Sequence, residues 1–149
     1  MDEKEYRSAL KSINPNQCVF EKAVFTTRCE CQHAERFCLA DRQGIECRNP
    51  LCLGHCTELL GLLRDNAKFL LHRTHIEGAL PHASELKVQL GGLLGLQAVT
   101  FPELKSDNIH DVASTVEEAR SRFKHFSELP MADIIQHLAH FKLRGRQKT

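Results

Sequence analysis

The chain has 149 residues, 42% hydrophobic and 26% charged, with a formal net charge of +1. That length and apolar content suit one compact domain and exclude wholesale disorder. The near-neutral balance excludes a strong global field for nucleic acid or an anionic membrane. The longest apolar stretch, Val88–Val99, falls far short of the ~20 residues that a bilayer span needs.

The first ten residues, MDEKEYRSAL, carry five charges and no apolar run, so no signal peptide is expected and the chain is read as cytoplasmic. From Cys18 to Arg28 the apolar positions Val19, Phe20, Ala23 and Val24 suit a helix, although the β-branched content also suits a short strand. Cys18, beside Val19 and Phe20, reads as a core residue. Cys29-Glu30-Cys31 comes next. Residues two apart do not face each other on a helix, so a helix end or a loop is expected, where both thiolates can turn to one metal.

Asn49-Pro50 is a helix start, an Asx cap followed by proline at the first helical position. Beyond it Cys52, Cys56, Leu59, Leu60, Leu63, Ala67, Leu70 and Leu71 trace one face, which predicts a helix to about His72. This helix sets Cys52 and Cys56 in its first two turns, where the dipole favours thiolate, with Cys47 just before the cap.

Leu80-Pro81 breaks the pattern, and a helix is expected from His82 or Ser84 toward Gln97. Its glycines, Gly91, Gly92 and Gly95, match neither phosphate-binding motif. They predict close packing, for instance against the cysteine-bearing segment, with a dimer contact as the alternative. Phe101-Pro102 opens a loop lasting to about Asn108. Val112, Val116, Ala119, Phe123 and Phe126 predict a helix over 111–126, and Ile134, Ile135, Leu138 and Phe141 another over 130–143. The tail, KLRGRQKT, has four basic residues and reads as a solvated end. The expected architecture is all-α: one domain over 1–149, a helical bundle of about five helices. Its cysteine-rich, metal-binding part covers about 15–75 and a helical hairpin about 108–144.

Six of the seven cysteines lie between Cys29 and Cys56. Disulfides are rare in a reducing compartment, and an odd count fits a closed disulfide framework poorly. The spacing C-x-C-x6-C-x8-C-x4-C-x3-C contains no C-x2-C. Structural zinc sites usually rest on paired knuckles of that kind, whereas iron–sulfur clusters take thiolates converging from several segments. The dense ferredoxin frames are absent as well. The favoured reading is a [4Fe–4S] cluster on Cys29, Cys31, Cys47 and Cys56, with Cys52 or Cys38 as substitutes, used in electron transfer or redox sensing. A structural zinc site in an adaptor module that mediates protein–protein interaction is the alternative. A metal-free helical protein with buried thiols is the third reading.

His33 and His55 fall inside the cysteine run and are candidate ligands or neighbours of ligands. The pairs His72/His75 and His137/His140 make poor metal sites by themselves. No G-x-S-x-G, H-E-x-x-H or kinase signature appears, so no enzyme is assigned. The expected partner is a redox or regulatory protein or a second copy of the chain, and neither a membrane nor nucleic acid.

Overall fold

The computed structural model describes residues 4–5, 16–71 and 80–142. In chain order the elements are α1 (Glu21–Val24), β1 (Ala34–Leu39), β2 (Arg42–Cys47) and α2 (Pro50–Ala67). A long rod, α3, follows in three pieces: α-helical His82–Leu86, a π-helical turn Lys87–Gly91, and α-helical Gly92–Thr100. Two further helices, α4 (Val112–Phe123) and α5 (Met131–Ala139), flank a 3-10 turn at Phe126–Glu128. Among the described residues no helix is long and apolar enough to cross a membrane.

The all-α expectation is overturned by β1 and β2, which pair antiparallel from Ala34↔Cys47 to Leu39↔Arg42 and make the fold mixed α/β. The hairpin closes through two residues, Ala40 and Asp41, both left-handed (φ 51° and 69°). That mirror-image turn matches the right-handed twist of the strands it joins. Gly44 faces Phe37 across the ladder, and the ring fills the place where a β-carbon would stand.

A third segment adds to the edge of β2. Gln17 bridges Glu46, Cys18 N donates to Ile45 O (2.8 Å), and Cys47 N donates to Asn16 O (2.7 Å). Side chains alternate across a strand, so this register puts Cys18 on the face that carries Ile45 and Cys47. Ile45 and Cys47 are buried there, which marks it as the face toward the core. The expected helix over 18–28 shrinks to the single turn of α1.

Helix α2 begins as its sequence dictates. The Asn49 side chain accepts from Cys52 N at 3.1 Å, and Pro50 takes the first helical position. Its buried face runs Cys52, Cys56, Leu59, Leu60, Leu63, Ala67. His72 and His75 lie outside the described residues, as does the tail after Lys142.

Helix α3 forms the middle of the core through Leu90, Leu93 and Leu96, packed on α2, α4 and α5. Its glycines permit this. A β-carbon on Gly92 would stand 2.7 Å from Leu63 of α2, and one on Gly95 would stand 2.8 Å from the Ile134 carbonyl of α5. The expected close packing against the cysteine-bearing helix is therefore present. Beside the π turn lies a buried polar network. Glu85 accepts from Arg64 (2.6 Å), Gln89 Nε2 (2.7 Å) and Leu80 N (3.2 Å), and Gln89 Oε1 accepts from Ala23 N (3.1 Å). It ties α1, α2 and α3 together where burial would otherwise penalise each polar group.

Candidate metal centre

Four chain segments bring cysteines near one another. The edge segment supplies Cys18 and β2 supplies Cys47. The first two turns of α2 supply Cys52 and Cys56, one turn apart on its buried face. Between α1 and β1 the extended run Cys29–Gln32 supplies Cys29 and Cys31. It is pinned to the start of α4: Ile109 N donates to Arg28 O (2.7 Å), Glu30 N to Ile109 O (3.0 Å) and Val112 N to Glu30 O (2.8 Å).

Asp111 completes that clamp. As N-cap of α4 its side chain accepts from Ser114 N, and it also accepts from Gln32 N (2.8 Å) and Gln32 Nε2 (2.6 Å). Burial alone would raise the Asp111 carboxyl, but these bonds from Ser114 and Gln32 hold it below its usual value of 3.8. The consequence for the site is positional. Cys31 is held beside the N-terminus of α4, where the main-chain N–H groups of Ala113 and His33 favour charge on its sulfur. The N–H of Phe20 does the same for Cys18.

Cys31 is the common neighbour of the set, since a charge on it would raise Cys18, Cys29, Cys52 and Cys56 alike. Burial is the first cause of the shifts. It pushes the Cys18 thiol up to about 12 and Cys52 to about 11, and it raises Cys29, Cys31 and Cys56 as well. The repulsion of neighbouring thiolates adds to it at each of these cysteines. Main-chain N–H bonds at Cys18 and Cys31 act the other way. Bare thiolates are therefore disfavoured here, and a cation that replaced their protons would remove the penalty.

Of the four expected ligands, Cys31, Cys47 and Cys56 fall within this group. Cys29 lies beside it, only 1% exposed and facing Cys18 and Cys31. Cys52 is inside the group, whereas Cys38 is exposed next to the hairpin turn, four ladder pairs away from Ala34↔Cys47. Cys18, expected as core, joins the thiols through its bridge to β2, a long-range pairing that local sequence pattern does not reveal. All seven cysteines are free thiols.

The histidines take other roles. His55 Nδ1 lies 2.8 Å from Glu117 of α4, and His33 Nε2 contacts Asn49 Nδ2 at 3.4 Å. His137 and His140 line an open cleft beside α3 and α5. Among the described residues, no three His, Cys, Asp or Glu side chains form a group ready to hold a single metal ion. No protein-family model matches the chain, and neither does any curated protein or solved structure.

Proposed function

We propose that this chain binds one [4Fe–4S] cluster through Cys18, Cys31, Cys52 and Cys56 and serves in one-electron transfer or redox sensing. The observation that carries the reading is that these thiols come from three distant segments to neighbouring places: Cys18 on the edge of β2, Cys31 beside the start of α4, and Cys52 and Cys56 in the first two turns of α2. A cluster needs four thiolates converging in that way, and when bound it supplies reversible one-electron chemistry. A single zinc ion, with Zn–S bonds of about 2.3 Å, requires its sulfurs to close tightly on one point. Cys29, which faces Cys18 and Cys31, and Cys47, whose thiol donates to Asn49 O at 3.3 Å, stand beside the four.

The chain's own residues would tune the site. Main-chain N–H groups at Cys18 and Cys31 and the positive ends of two helices stabilise negative charge on sulfur, while burial opposes it. Free thiols in this number suit a reducing compartment such as the cytoplasm.

The test is elemental analysis of protein purified without oxygen. About four iron and four sulfide per chain are expected, with a broad visible absorption that bleaches on reduction. Cys18→Ala, Cys31→Ala, Cys52→Ala and Cys56→Ala should each lose that absorption, and Cys29→Ala and Cys38→Ala should keep it. Zinc without iron, no metal at all, or an intact cluster in Cys31→Ala would overturn the reading.

A further inference from the structure

Beside α3 and α5 lies an open cleft of about 1200 Å3 whose lining includes no cysteine. Leu94 and Ala98 give it an apolar wall. Its rim is basic, with Arg28, Lys105 and Lys142 set against a single carboxylate, Asp107. The whole chain carries a net charge of only +1, so this is a local concentration of positive charge. Arg28 is built into the structure. Its Nε donates to Asp107 O (3.2 Å), its Nη1 to Lys142 O (3.4 Å), and its guanidinium lies 5.1 Å from the Phe141 ring centre. These bonds hold charge at the base of the cleft and tie its two sides together. Lys105 and Lys142 have no carboxylate partner among the described residues.

The chemistry of the occupant follows from charge and shape. The seven residues after Lys142, LRGRQKT, contain three basic residues and no acidic one, so like charge argues against the chain's own continuation. Single-stranded nucleic acid needs open aromatic faces for its bases. The phenyl ring that lines the cleft, Phe141, already has its face covered by Arg28. An apolar wall beneath a basic rim instead matches carboxylates interleaved with aliphatic side chains. We propose that this cleft docks an acidic, leucine-bearing segment of a partner protein.

Fluorescence anisotropy of the full chain with a labelled peptide alternating glutamate and leucine, spaced by glycine, tests this. Binding should saturate and weaken as salt is raised. The double variant Lys105→Glu/Lys142→Glu changes two exposed side chains, so it should keep the wild-type melting curve while binding about tenfold more weakly. No saturable binding at low salt, or equal binding by the double variant, would overturn the proposal. Tighter capture of a labelled oligothymidine, lost in the same variant, would overturn it in favour of nucleic acid. The readout does not depend on the thiol group, so metal content does not bear on the outcome.

Discussion

Gly61→Ala and Gly95→Ala are one chemical change with opposite expected signs. Gly61 sits in the middle of α2, and a β-carbon there meets nothing within 4 Å. Alanine should gain its ordinary helix preference over glycine, about 1 kcal/mol. Gly95 sits where α3 crosses α5. Its β-carbon would stand 2.8 Å from the Ile134 carbonyl oxygen and 3.1 Å from both Ile134 Cα and His137 Cβ. Comfortable carbon contacts lie at about 3.5–4.0 Å. Two of the three atoms are backbone, so no side-chain rotation relieves the clash and α5 must shift bodily. Overpacking of this kind costs ~1–3 kcal/mol. With two backbone atoms in the way the cost falls in the upper part of that range, ~2–3 kcal/mol, so after the gain in helix preference the net loss is about 1–2 kcal/mol. Urea denaturation followed by circular dichroism at 25 °C measures both. The two variants should bracket the wild type and differ by about 2–3 kcal/mol, or roughly 6–12 °C in Tm for a domain of this size. A Gly95→Ala protein as stable as the wild type would refute the seating of α5 on glycine.

Four other outcomes follow from features already described. Asp111→Ala should cost about 2 kcal/mol, from a lost N-cap and lost bonds to Gln32, and should speed hydrogen exchange at the Gln32 amide; unchanged exchange there would count against the clamp. Because the folded Asp111 carboxyl lies below its unfolded value, its contribution is complete above about pH 4 and is lost as pH falls through the folded value, so the stability gap between wild type and Asp111→Asn should narrow on acidification. Ala40→Asn with Asp41→Gly should stabilise the hairpin by about 1 kcal/mol, since both positions are left-handed and the present residues resist that conformation; thermal denaturation checks the sign. Glu85→Ala should lose about 3–5 kcal/mol by stranding Arg64, whose Nε already lacks a partner, while Glu85→Gln should lose clearly less; equal losses would refute the network.

The parts of this fold that sequence reveals are those whose causes are local. The start of α2 is written in two adjacent residues, Asn49 and Pro50, and the stripe from Cys52 to Ala67 is one helix period repeated. The hairpin is not legible in that way. Its strands are six residues each, their alternation is blurred by Glu35, Arg36 and Glu46, and its turn is Ala-Asp where Asn-Gly would have signalled it. The role of Cys18 rests on pairing with residues 45–47, and that of Cys31 on the amide of Ala113. Both depend on contacts across tens of residues, which no window along the chain can contain. The glycines of α3 were readable as a packing device, but only the structure shows which neighbour each one admits.

The clamp between Gln32 and Asp111 also sets an order of events during synthesis. Every cysteine has left the ribosome's catalytic centre once Cys56 is made, yet the amide that caps the Cys31 sulfur belongs to Ala113. At ~5–20 residues per second, adding the 57 residues up to and including Ala113 takes about 3–11 s. Through that interval the nascent chain presents a full set of thiols with no finished pocket around them. The shielding of Cys31 is thus completed by a segment made after all the cysteines.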